Sequence, residues 1–298
     1  MALLGVMRIR WHAGAILVLL GLVLLAVSSP VEAPSAPPES ATYAILISMD
    51  GARPDALQAA GASWLLEQAS YTLKATTVFP SVTLPAHASM VTGLTPRNHG
   101  IMQNDWRPGM PPIQVPTLFD AAKARGRTTA MVISKEKLRA LARPGALDRV
   151  EVVGGRAEVV AERAIALLTR ERPGVLFVHF SDPDSAGHLH GWMSSPYLNA
   201  IARTLAAVGR ILKTAQEREN GTFLLIITSD HGGHGRIHGT RSPEDMTIPW
   251  IALGTHVLRG HEIQQEVRIY DTTPTILSAL GIPLPPSLEG KVVSEIFF

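Results

Sequence analysis

The chain has 298 residues, 46% hydrophobic and 17% charged, with no cysteine. These figures exclude a disordered tail, a disulfide scaffold and a zinc-thiolate site, and they require a globular body with a sizeable core. The formal charge of +2 sits beside a pI near 9.0 only because few groups titrate between neutrality and that pH, so no nucleic-acid partner is indicated.

In chain order, Arg8, Arg10 and His12 precede an apolar run from Ala13 to Val27, and the Pro/Ser-rich stretch SSPVEAPSAPPES follows. A charged start, a short apolar middle and small residues after it are the marks of an export signal. Residues 1–33 therefore read as a cleaved signal peptide or, if retained, a membrane anchor, with 34–42 as a linker. Either way the body from Tyr43 is expected to be extracytoplasmic: secreted, periplasmic or anchored.

From Tyr43 onward, apolar runs alternate with amphipathic ones, the pattern of a mostly parallel sheet with helices on both faces. The runs YAILIS (43–48), TTAMVIS (128–134), GVLFVHF (174–180) and TFLLIITS (222–229) predict strands buried on both faces. Helices are predicted over 54–68, 85–91, 116–125, 157–170 and 196–216, four of them opened by proline.

Acidic residues close three of these strands. Asp50 follows the first, Asp182 and Asp184 the third, and Asp230 with His231 the fourth. Ligands bind at the carboxyl edge of parallel sheets, so these ends can converge on one crevice, although a single Asp after a strand is as often a plain turn residue. The run DPDSAGH spaces Asp184 and His188 four apart, and SDHGGHGRIHG adds His234 and His238 in a glycine-rich loop that can bend them back. Oxygen and nitrogen donors without thiolate suit zinc first, with manganese, cobalt or iron as competitors. Thr83 lies just before a predicted helix start, where it reads either as a helix cap or as a nucleophile beside free N–H donors. Ser81, Thr76 and Thr77 are further hydroxyl candidates.

The segments MDGARPDAL, FPSVTLPAHASMVTGLTPRNHGI, DPDSAGH, SDHGGHGRIHG and DTTPTILSALGIPLPPSLEGK resemble, in this order, the alkaline phosphatase superfamily. The similarity is greatest to its type I phosphodiesterase/nucleotide pyrophosphatase branch and runs from Tyr43 to the C-terminus. It implies an alkaline phosphatase-like α/β domain over 43–298 and two divalent metal ions, zinc or manganese. One ion would be held by Asp50, Thr83, Asp230 and His231, the other by Asp184, His188 and His238. Thr83 would be the nucleophile, and Asn104 would hydrogen-bond a phosphoryl oxygen. The activity implied is hydrolysis of a small phosphate ester, a phosphodiester or pyrophosphate bond.

Two departures mark a compact member. His238 follows His231 by only seven residues, and Ala86 stands where nucleotide-cleaving relatives carry asparagine. A sulfatase is excluded, because its Cys/Ser-x-Pro-x-Arg pattern is absent. The alternatives are a phospho-headgroup transferase and a metal-stabilised binding protein without catalysis.

Overall fold

The computed structural model describes residues 40–218 and 221–298; the leader and most of the linker lie outside the described residues. Eight strands form one sheet: β1 (Tyr43–Met49), β2 (Ser70–Thr76), β3 (Thr129–Ile133), β4 (Arg149–Val152), β5 (Val175–Phe180), β6 (Phe223–Thr228), β7 (Thr247–Gly254) and β8 (His261–Glu262). Their order is β4-β3-β5-β1-β6-β7-β2-β8, with β7 antiparallel to both neighbours and the other pairs parallel.

The four predicted strands are all present, within one residue at each end. They are apolar throughout because both faces are covered. One face carries Leu46, Met131, Phe177 and Ile226, packed with Phe119, Met90, Trp250 and Leu277. The other carries Ile45, Ile47, Val178 and Leu225, packed with Val160, Tyr197, Ile201 and Val208. Each such side chain stabilises the fold by about 1.5–3 kcal/mol relative to leaving it exposed.

The helices differ in instructive ways. Ala157–Arg170 matches its prediction, and Ser195–Gln216 begins where the Ser194 hydroxyl accepts the Tyr197 N–H. The predicted 54–68 helix is two short ones, Pro54–Ala59 and Ser63–Leu66, parted at Gly61, whose φ of +81° a continuous helix cannot accommodate. The predicted 85–91 helix starts two residues earlier, spanning Thr83–Thr92. Pro85 still lies in the first turn, where no N–H is needed.

The sequence did not reveal β2, β4, β7 or β8. Pro249 argues against an interior strand because it cannot donate to a ladder. Its place is made by β2, whose register shifts between Thr72, opposite Trp250, and Ala75, opposite Ile248. The proline faces that irregularity, as a bulge permits.

The chain enters the body at the amino edge of the sheet. There the Ala41 N–H donates to the Ala279 carbonyl (2.7 Å), and Arg127 donates to the Thr42 and Leu280 carbonyls. Among the described residues no helix is long and apolar enough to cross a membrane.

Candidate active site

Four chain segments leave the carboxyl edge of the sheet, three from the adjacent strands β5, β1 and β6 and one from β2, on the far side of β7. Beyond β1, Asp50 is followed by Gly51 in a left-handed turn at φ +70°. The Gly51 N–H donates to Asp230 Oδ1 (3.0 Å), and its carbonyl accepts from Trp192 Nε1 (2.9 Å) and the Tyr197 hydroxyl (2.8 Å). Beyond β6, the Ser229 hydroxyl accepts the Ala52 N–H (2.9 Å), tying the Asp230 turn to the Asp50 turn. Beyond β5 comes a helix, Asp182–His190, which is not among the helices predicted from the sequence. Helical periodicity sets Asp184 and His188 on one face. Beyond β2, the chain runs through Ser81 to Thr83, the first residue of its helix.

The structure brings the expected residues together in two overlapping groups. Asp50, Asp230 and His231 form one and Asp184, His231 and His238 the other, with donor atoms in each group within 4.8 Å of one another. His231 belongs to both. His188 stands at the rim, half exposed, with Nε2 3.4 Å from Asp184 Oδ1. His234 turns away, pairing through Nδ1 with the buried Asp245 (2.8 Å).

Three imidazoles are oriented by the same device. Nδ1 of His231, His238 and His188 donates to the carbonyls of Gly232 (2.8 Å), Ser81 (2.9 Å) and Arg236 (3.0 Å). Each bond leaves Nε2 as the lone-pair nitrogen, the form that ligates a cation. Asp50 Oδ1, Asp184 Oδ1, Asp230 Oδ2 and His231 Nε2 are buried and have no hydrogen-bond partner among the described residues. Buried polar atoms left unpaired are costly, and four of them facing one another fit an oxygen- and nitrogen-bound divalent cation.

Charge is unevenly held among the acids. Burial would raise the Asp50 carboxyl, but Lys135, His179 and His231 outweigh it and hold it well below the usual range. Burial and the Asp50 charge likewise oppose ionisation of Asp184, yet the neighbouring His188 and the Lys135 charge bring it down to about 2. Asp230 lacks a comparable partner, and burial beside ionised Asp50 pushes it up to about 7. His238 is depressed to about 4 by burial and by neighbouring His231.

Thr83 Oγ1 lies in this cluster, 3.4 Å from Lys135 Nζ. Asn104 Oδ1 accepts the Leu84 N–H (2.9 Å), so its amide NH2 is left as a donor beside the first helical turn. Of the other hydroxyl candidates, Ser81 donates to the Thr240 carbonyl and Thr77 to that of Asp230. Ala86 packs in the core.

Three contributors were not assigned to the site from the sequence, although His179 reads there as a structural or supporting histidine. Lys135, just past β3, places Nζ 2.7 Å from Asp50 Oδ2 and 2.7 Å from Asp184 Oδ2. Burial alone would lower its pKa, but Asp50, Asp184 and Asp230 hold the ammonium above the ordinary lysine range. His179 holds Asp50 Oδ2 through Nε2 (2.8 Å) and accepts the Ser134 N–H at Nδ1. Its one signal was a histidine inside an otherwise apolar strand. Trp192, which packs on Gly187 and Gly233 and lies edge-on to His188, gave none.

Known proteins share this arrangement of strands and motifs. A family model described as type I phosphodiesterase/nucleotide pyrophosphatase matches residues 44–235. Ectonucleotide pyrophosphatase/phosphodiesterase family member 1 of Rattus norvegicus is 28% identical over 228 residues, 68% of this chain and 25% of that protein. The chain thus spans about a quarter of the length of that relative. Murine ectonucleotide pyrophosphatase/phosphodiesterase 5, in an inactive threonine-to-alanine form in complex with AMP, aligns with a TM-score of 0.71 at 15% identity, covering 87% of this chain and 100% of that one. A protein in the alkaline phosphatase superfamily from Vibrio parahaemolyticus gives 0.66 at 14% identity, covering 87% and 71%. Likeness at that identity is one of fold, and the fold is alkaline phosphatase-like.

Proposed function

The chain belongs to the type I phosphodiesterase/nucleotide pyrophosphatase family, and from that premise we propose that it is a phosphoric ester hydrolase with Thr83 as its nucleophile. The observation that carries this reading is the convergence of four unpaired buried donor atoms beside a threonine hydroxyl at a helix start. Asp50, Asp230 and His231 would hold one divalent cation and Asp184, His238 and His188 a second, zinc or manganese by the donor set. Bound there, the ions would supply charge for the phosphoryl oxygens and lower the pKa of a coordinated hydroxyl.

The chain's own groups then divide the remaining work. His179 and the Gly51 turn fix Asp50, while the Ser81 and Gly232 carbonyls fix the two stacked imidazoles of His238 and His231. The Thr83 oxygen forms a bond to phosphorus as the ester bond to the leaving group breaks, and water then cleaves the threonine ester, restoring the hydroxyl. Asn104 donates to a non-bridging phosphoryl oxygen from its free NH2. The substrate class is a small phosphodiester or pyrophosphate, as the family's name suggests. We place the reaction outside the cytoplasm on the strength of the signal-like residues 1–33.

Thr83→Ala tests the reading on the full chain, with metal analysis and turnover of a chromogenic diester measured on the same sample. Activity should fall by at least ~10³-fold while bound metal stays near the wild-type content, since six other side chains remain to hold it. Thr83→Ser should retain part of the rate. Near wild-type turnover by the alanine variant would remove Thr83 as nucleophile.

A further inference from the structure

We propose that Lys135 is a built-in counter-cation that competes with metal for the site, so that loading requires its ammonium to give up the carboxylates it bridges. This rests on the metal-binding reading above. Lys135 takes one oxygen from each of the two donor groups, Oδ2 of Asp50 and Oδ2 of Asp184, both at 2.7 Å. It is thus the one described cation that spans both groups. The two aspartate side chains are 0% and 5% exposed and that of Lys135 is 19% exposed, so the lysine has a route toward water that its partners lack.

Two charges of the same sign cannot both be held cheaply in a poorly screened cluster. At the effective dielectric of a protein site an ammonium and a dication sharing a carboxylate repel strongly. Without metal, the ammonium neutralises two buried carboxylates, of which Asp50 has a hydrogen bond from His179 besides and Asp184 Oδ2 has Lys135 as its partner, and this stabilises the metal-free protein. Whatever stabilises the metal-free form relative to the loaded one weakens metal binding by the same amount. Lys135 therefore sets the metal concentration at which the site fills, and it keeps the fold intact below that concentration.

The test measures zinc affinity of the full chain by competition with a chromophoric chelator, together with melting of chelator-treated protein. Lys135→Met should bind zinc at least about tenfold more tightly and melt at a lower temperature when metal-free. Lys135→Arg, which keeps the charge, should stay near the wild-type affinity. Lys135→Gln, read in the same way, covers the case in which the methionine variant does not fold without metal. Unchanged or weaker zinc binding by the neutral variants overturns the inference. If the wild-type chain bound no zinc or manganese at all, the metal reading itself would fall, and the competition with it; wild-type binding with unaltered variants removes the competition alone.

Discussion

Asp50 and Asp230 are equally buried, lie side by side and differ in charge, because one has Lys135 and His179 and the other has neither. The two therefore act oppositely on the metal-free fold. Asp230 has a folded pKa of about 7, above its unfolded value, so the unfolded chain loses that proton first and stability falls as pH rises toward 7. Asp50 is depressed, so its contribution is present above the unfolded value and is lost as pH falls below it. In chelator-treated protein at pH 8, Asp230→Asn should melt at or above the wild-type temperature and Asp50→Asn several degrees below it. Thermal denaturation followed by circular dichroism decides this, and equal losses in both variants would contradict the assignment of charge. The chemistry-bearing residues at this scale were legible because acids and imidazoles at successive strand ends form a pattern. Lys135 was not, since one lysine after a strand is indistinguishable from any surface lysine until the fold shows what it faces.

The loop from His231 to Gly239 delivers two imidazoles to one point and depends on close packing at its glycines. A Cβ on Gly232 would lie 1.9 Å from the Glu244 carbonyl oxygen, and one on Gly233 would lie 2.2 Å from the Trp192 ring. A Cβ on Gly235 would meet nothing within 4 Å, although its φ is +52°. Gly232→Ala should accordingly weaken zinc binding by about tenfold or more and lower the melting temperature, because the loop must shift. Gly235→Asn, suited to that φ, should do little in the same titration. Among elements, strands buried on both faces and proline-opened helices were readable. β7 was hidden by Pro249, whose tolerance depends on a register shift between Thr72 and Ala75 in a strand far earlier in the chain, and the Asp182–His190 helix was hidden because its residues read as ligands first.

At the scale of the molecule, the candidate site joins segments from Asp50 to His238 that only the sheet order β5-β1-β6 makes neighbours. The alternation of strand and helix gave the fold class, but no residue states which strands lie beside which. Because the site exists only in the folded chain, metal should stabilise the whole fold. At a free zinc concentration 100 times the dissociation constant the gain is about 2.7 kcal/mol, or roughly 5–10 °C for a domain of this size. Scanning calorimetry with and without chelator measures it, and no shift would mean that the cluster does not take up zinc in the folded state.

The entry of the chain has a consequence for how the molecule is presented. Ala41 and Thr42 are fastened at the amino edge of the sheet, whereas Asp50, Asp184 and Asp230 crown the opposite one, separated by the full run of β1. Seven residues of strand make that about 23 Å. A probe coupled at Ser40 would therefore stand behind the sheet, on the side turned away from these carboxylates.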